Sequence, residues 1–429
     1  LSKNSDSINP LPEPMLFQKL SSSPAHSDAS TPVEMDYDLV IVGGGIVGAT
    51  LACSLKNSGL QVAIIEPQPK AVVVARRLAY ALTLQTGRIL EGIGVWSQIV
   101  PKITTFRQIS LSDSDHPGVV QFLPQDIGTE ELGYVGEHHI ILGAMHHFLE
   151  DSENIHWLCP AQVLQVQYHA DYAQVTLEQQ GETQEILTQV VVAADGSRSQ
   201  LRQAAGIETK GWKYWQSCVA MTIQTEKPHH NIAFERFWPS GPMGVLPLPG
   251  NRCQVVLTAP HADAQALKDM KPTEFLKLLE YRTGGILGRL ELLSDRYVFP
   301  VQLMQSDHYV QPRLVLVGDA AHACHPVGGQ GLNMGIRDAA AIAQILIEAQ
   351  QQGEEIGSLS VLKRYERWRK KENWIVLGLT DFLDRTFSGD WKPKVVARRI
   401  GLWFLRHMKP LRYLALRLMT GLFGRPIYP

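Results

Sequence analysis

The chain has 429 residues, 45% hydrophobic and 19% charged, a size at which one simple core gives way to two intertwined domains or a domain with an insertion. Its formal net charge of −2 lacks the basic footprint of a nucleic-acid binder, and no run of about 18 consecutive apolar residues marks a transmembrane helix. The five cysteines are scattered, odd in number and form no C-x-x-C pair, which argues against a disulfide framework and for a reduced, cytoplasmic compartment.

Residues 1–34 are rich in Ser, Pro and Asp and have no apolar h-region, so a disordered leader is expected there, with Met35 as the expected start. Tyr37 to Val42 (YDLVIV) is a buried-strand run that leads into Gly43-Gly44-Gly45-Ile46-Val47-Gly48 and a helical stretch, Ala49 to Ser58. In such a strand, turn and helix, Gly43 permits the turn and Gly45 lets backbone approach a pyrophosphate. Gly48 allows close helix packing, and the helix amides face the anion. The next strand, Val62 to Ile65, ends at Glu66, where a carboxylate can accept hydrogen bonds from both ribose hydroxyls of an adenosine and repel a 2′-phosphate. This fingerprint predicts a dinucleotide site without separating NAD from FAD.

Further along, Gln189 to Ala194 is a second buried run, followed by Asp195-Gly196-Ser197-Arg198-Ser199 and a helical patch, Gln200 to Ala205. Asp195 is placed either to meet a cofactor or to cap that helix. Residues 211–294 read as a strand-rich insertion. Within it Gly241 to Gly250 lies between the strand-like segments Ile232 to Trp238 and Cys253 to Thr258 with no following helix, so there is no second dinucleotide fingerprint. Leu314 to Val317 is another buried strand, leading into Gly318-Asp319-Ala320-Ala321-His322; Pro326, Gly328, Gly329, Gly331 and Asn333 then open a long helix, Leu332 to Gln352. From Trp391 to Pro429 there are nine Lys or Arg and no Asp or Glu, against 31 and 42 in residues 1–390. Two short amphipathic helices broken at Pro410 are expected in Ile400 to Phe423. Their apolar faces suit either an anionic membrane surface or the protein's own acidic body.

Asp195-Gly196 and Gly318-Asp319 resemble the DG and GD motifs of the flavin aromatic hydroxylases related to para-hydroxybenzoate hydroxylase, and more closely those of ubiquinone-biosynthesis hydroxylases acting on polyprenylated phenols. Ala79 to Thr83, Gly92 to Trp96, Gly241-Pro242 with Leu246-Pro247-Leu248, Gly318 to Arg337, and Tyr365-Glu366 with Arg369 extend the resemblance from about Asp36 to the C-terminus. It implies that Asp319 meets the ribityl and pyrophosphate region of FAD and that Gly329, Gly331, Leu332 and Asn333, after Pro326, present backbone to the flavin ring. It also implies that Asp195 and Gly196 lie where FAD meets a transiently docking NAD(P)H. The Arg that commonly precedes the A-I-A-L element is replaced by Leu78, with Arg76 as its substitute, and His138 stands at the family's Asn.

The expected fold is α/β, a Rossmann-like FAD-binding domain with an inserted antiparallel β-sheet substrate domain and a helical C-terminus. The expected boundaries are 35–210 and 295–385 for the FAD-binding parts, 211–294 for the substrate domain and 386–429 for the basic tail. By resemblance, the activity is NAD(P)H- and dioxygen-dependent hydroxylation of a polyprenylated phenol in quinone biosynthesis, in the cytoplasm or peripherally on the inner membrane face. A flavin dehydrogenase or reductase acting on an apolar substrate, and a non-catalytic flavin-bearing member of a membrane assembly, stay open beside it. Phe237, Trp238, Pro247 and Leu248 are the expected substrate contacts, with no catalytic acid or base identified. The histidines have no zinc-site spacing, and no metal is expected.

Overall fold

The computed structural model describes residues 34–113, 119–389 and 391–427; the expected leader, but for its last residue, lies outside the described residues. Runs such as Leu39 to Val42 have no polar face to offer water, and a parallel sheet buried on both sides accommodates them. Tyr37–Val42 pairs in parallel with Val62–Ile65 and with Glu182–Ala193, Leu39 lying opposite both Val62 and Val190. Leu314–Leu316 continues the sheet beyond Glu182–Ala193, and Ile155–Leu158 beyond Val62–Ile65, also in parallel. Helices Ile46–Leu55 and Gln330–Gln351 share one continuous apolar core with these strands.

The first helix starts at Ile46 rather than Ala49, so Gly48 falls inside its first turn. A Cβ there would lie 2.0 Å from the Gly43 carbonyl oxygen, and one at Gly43, whose φ is +113°, would lie 2.3 Å from that of Ala194. Glycine is therefore required at both positions for the turn to close against the sheet.

A nine-stranded sheet forms the second layer. It is wider than the expected 211–294 segment. Thr209–Thr225 pairs with Arg252–Pro260 and with Tyr297–Ser306, while Gln108–Asp113 and Val119–Phe122 close the far side. Nor is it wholly antiparallel, since Ile232–Trp238 runs parallel to Gln108–Asp113; strands so far apart in sequence need no hairpin, and either direction is open to them.

Side-chain alternation gives this sheet two different faces. Met221, Met243, Val245, Val255 and Leu257 pack against helices His261–Asp269 and Pro272–Thr283 through Leu267, Phe275 and Leu279. Ala220, Pro242, Gly244, Leu246, Gln254, Val256 and Thr258 point the other way and line a cavity.

At the C-terminal end, helix Leu359–Phe387 is followed by Lys392–His407 and Lys409–Met419. The break falls at Met408, which is extended (φ −104°, ψ 103°), and Pro410 sits in the first turn of the last helix, where its missing N–H costs no hydrogen bond.

Candidate functional site

Two helix N-termini open onto a cavity of about 1080 Å³. Helix Ile46–Leu55 has Gly45 at its N-cap, no side-chain cap and no acidic residue in its first turn, and Gly45, Ile46 and Val47 line the cavity. A Cβ on Gly45 would meet nothing within 4 Å, so the free amides look into open space that suits a pyrophosphate. Glu66 lies behind this turn: its carboxylate accepts hydrogen bonds from Gly44 N (2.8 Å) and Gln68 N (3.0 Å). Each oxygen keeps a lone pair for a further donor. Arg76 lines the cavity and donates to Gln68 Oε1 (3.4 Å).

Asp195 serves its own helix with one oxygen. Oδ2 accepts from Gln200 N (3.0 Å) and Leu201 N (3.4 Å), so the capping role is real. Oδ1 is buried and makes no hydrogen bond among the described residues, and burial, only partly offset by the hydrogen bonds, raises this carboxyl above its usual range. Gly196 (φ +84°) lines the cavity. Arg202 donates to Ser197 O and to Ala320 O (2.8 Å), tying this turn to the Gly318-Asp319 loop.

That loop hangs on Asp338. Its Oδ2 accepts from Gly318 N (3.2 Å) and His322 Nε2 (2.5 Å), and its Oδ1 from Arg369 Nε (2.9 Å) and Asn373 Nδ2 (3.0 Å). Burial would raise the Asp338 carboxyl, but His322 and Arg369 outweigh it and hold it down at about 2. Asp319 faces the cavity with its side chain open to that space, and desolvation by the surrounding walls raises its carboxyl above the usual range.

The long helix has Gly329 (φ +61°) at its N-cap, again without a side-chain cap, and Pro326, Gly329, Gly331 and Leu332 line the cavity. Asn333 does not. Its amide donates to Ala81 O and Gly329 O, and its oxygen accepts from Thr83 N and Thr86 Oγ1, all within 2.8 Å. The side chain is saturated by protein and clasps strand Ala79–Thr83 to the helix start; the cofactor contact expected of this position is one of backbone, which these side-chain bonds leave open. His138 lines the cavity too. Its Nε2–H donates to Val73 O (2.9 Å), leaving Nδ1 to accept from Tyr80 O–H (3.2 Å), and burial lowers its pKa to about 4, so the ring is neutral.

Of the four expected substrate contacts, Phe237 lines the cavity; Trp238, Pro247 and Leu248 do not. Strand alternation turns Trp238 away, beside Tyr281 and the Arg282 guanidinium, and turns Pro247 with it. Leu248 is wholly buried in the apolar cluster beneath the cavity. Unforeseen lining comes from Ile109, Leu111 and Phe122 on the distant strands, from Glu235, Gln254 and Thr258, and from Leu405, Ala415, Leu418 and Met419 of the tail. A carboxylate between Ala233 and Phe237 on one face of a strand is a signal that alternation alone could have supplied.

The tail is clamped onto the body. Arg398 pairs in bidentate fashion with Asp113 (2.8 and 2.9 Å), both buried, and Arg412 reaches Asp126 at 3.3 Å. Leu402, Leu405, Leu416 and Met419 pack inward, while Val396, Ile400, Trp403 and Phe404 form an exposed stripe on the opposite side. Among the described residues no helix is long and apolar enough to cross a membrane, and no three His, Cys, Asp or Glu side chains converge as a metal site.

Residues 36–379 match the FAD binding domain family. The chain is 52% identical to the uncharacterized protein slr1300 of Synechocystis sp., over 92% of this chain and 96% of that one. It is 35% identical to ubiquinone hydroxylase UbiL of Rhodospirillum rubrum, over 90% and 89%. In fold it resembles p-nitrophenol 4-monooxygenase PnpA of Pseudomonas putida, with a TM-score of 0.77 at 20% identity, covering 91% of this chain and 99% of that one.

Proposed function

The chain belongs to the FAD binding domain family, and from that premise we propose that it is an FAD-dependent monooxygenase that hydroxylates the ring of a polyprenylated phenol in quinone biosynthesis. The observation that carries this reading is a cavity shared by two uncapped helix N-termini and by apolar side chains of the second sheet and the tail. Likeness to a ubiquinone hydroxylase along nearly the whole chain supports it.

FAD fits the residues present. Gly43, Gly45 and Gly48 with the first helix amides would hold the pyrophosphate, Glu66 the adenosine ribose, and Asp319 and Gly318 the ribityl region. The amides after Gly329 would face the ring, with Arg76, Asp195 and Gly196 beside it. When bound, FAD accepts electrons from a transiently docked NAD(P)H and activates dioxygen for transfer to the substrate. The helix dipole at Gly329 stabilises negative charge nearby. Phe237, Leu246 and Val256 would exclude water from the reacting ring, and Asp338 holds the Gly318 loop in place.

The apolar end of the cavity suits a hydrocarbon substituent. Leu405, Leu418 and Met419 line it from the inner side of the tail helices, and the outer stripe of Ile400, Trp403 and Phe404 lies beside Arg399 and Arg406. Such an outer surface suits peripheral contact with an anionic membrane in which a prenylated substrate resides.

The test is turnover of 2-geranylphenol by the FAD-loaded protein with NADH or NADPH under isotopically heavy dioxygen. The expected product carries one heavy oxygen on the ring. A product without that oxygen, or equal turnover without dioxygen, would overturn the reading in favour of a flavin dehydrogenase.

A further inference from the structure

Resting on the phenol hydroxylase reading, we propose that Glu235 is the specificity-determining residue that binds the substrate's ring hydroxyl and so fixes which ring carbon faces the flavin. Ala233, Glu235 and Phe237 project from one face of strand Ile232–Trp238 into the cavity. Apart from Glu235, the sheet floor there is Ala220, Pro242, Gly244, Leu246 and Val256, with Gln254, Thr258 and Tyr297 as its other polar side chains. Gln254 and Thr258 are already engaged: Gln254 Oε1 accepts from Thr222 Oγ1 at 3.2 Å, and Thr258 Oγ1 lies 3.4 Å from Cys218 Sγ. Tyr297 stands at the other end of the row that runs from Glu235 through Gly244, Val256 and Ala220.

Glu235 is not engaged. Among the described residues no hydrogen bond and no opposite charge acts on its carboxyl, and burial alone pushes it up to about 8. The carboxyl stands half-buried at the cavity wall without a protein partner among the described residues, and once a ligand displaces water there its hydroxyl supplies the missing hydrogen bond. The sheet also leaves room for such a ligand. Gly244 lies directly opposite Glu235 on the adjacent strand, where a Cβ would approach Glu235 Oε2 to 3.4 Å.

The position gives the ring a direction. Gly328 to Leu332, where the flavin ring would lie, line the cavity beside the tail, Gln330 Nε2 donating to Met419 O at 3.1 Å. A hydroxyl held at Glu235, on the sheet that also lines the cavity, leaves the ring to turn one edge to the flavin while a hydrocarbon substituent runs along Leu405 and Leu418 of the tail. Either charge state of the carboxyl can accept the phenol O–H, and the neutral acid can also donate. A ring without a hydroxyl leaves Glu235 unpaired, and sites built around a substrate hydroxyl reject such analogues strongly.

The experiment titrates the oxidised, FAD-loaded enzyme, with no electron donor, with 2-geranylphenol and with geranylbenzene, reading the perturbation of flavin absorbance. The wild type is expected to prefer the phenol by about tenfold or more. Glu235→Leu and Glu235→Ala, with flavin retained, are expected to bind both ligands alike, and Glu235→Gln to recover part of the preference. A wild-type preference that survives in either apolar variant would overturn the assignment of Glu235, as would a wild type that binds both ligands equally. Both of those results leave the hydroxylase reading standing. A wild type that binds neither ligand would overturn that reading and this assignment together.

Discussion

Glu66 shows how one side chain can serve fold and site together. Its two oxygens brace Gly44 and Gln68 and retain lone pairs for the ribose hydroxyls. Glu66→Ala should weaken FAD binding by about 1 to 3 kcal/mol, the usual cost of losing hydrogen bonds to a charged partner. Equilibrium dialysis of the variant checks this, and unchanged affinity would place the ribose elsewhere. Gly48 is less forgiving. With a Cβ 2.0 Å from Gly43 O, Gly48→Ala must push the helix off the turn and misdirect its amides. The expected result is a folded protein that purifies without yellow colour, and full flavin occupancy would show that the turn has slack.

At the scale of elements, the buried Asp338 joins the GD loop to two helices, since Gly318, His322, Arg369 and Asn373 all donate to it. Asp338→Asn leaves the buried Arg369 guanidinium with Glu372 as its remaining carboxylate partner among the described residues, so the loss is that of charge-assisted hydrogen bonds, on the order of 1.5 to 3 kcal/mol. The sign of the pH dependence follows from the depressed carboxyl. Folded near 2 and unfolded near the ordinary aspartate value of 3.8, it contributes stability that is fully present above about pH 4 and is lost as pH falls toward 2. Thermal melts between pH 2 and pH 5 should therefore show a shallower acid slope in Asp338→Asn than in the wild type. Parallel slopes would mean that the carboxyl carries no net linkage.

On the scale of the whole molecule, the tail is both wall and surface. Leu405 and Met419 close the cavity, so removing residues after Gly389 would open the site and confound any test of membrane binding. The exposed stripe can be changed alone. A Trp403→Ser, Phe404→Ser double variant should keep its flavin and float with vesicles containing anionic phosphatidylglycerol at least about tenfold less than the wild type, because burying each aromatic side chain contributes on the order of 1.5 to 3 kcal/mol. Equal flotation would assign the tail to the protein body alone.

The cofactor half of the molecule was legible in the sequence because its signals are local. A buried strand, a glycine turn and a helix lie within about twenty residues of one another, and hard backbone contacts at Gly43 and Gly48 leave little freedom in residue type. The resemblance of the DG and GD motifs supplied the choice of FAD. The substrate half was not legible in the same way. Choosing Trp238 and Pro247 weighed residue type over strand parity, and parity turns both from the cavity. Gln108–Asp113 joins Ile232–Trp238 across more than a hundred residues, a pairing that no local pattern encodes. The side chain of Asn333 ties strand Ala79–Thr83 to the long helix through four hydrogen bonds within the protein, a role that its place in a glycine-rich run does not announce. Composition fixed the tail as basic and amphipathic, but an apolar stripe specifies only that something must cover it. The Arg398–Asp113 pair, formed by residues far apart in sequence, decides that the inner face covers the cavity and leaves Trp403 and Phe404 turned outward.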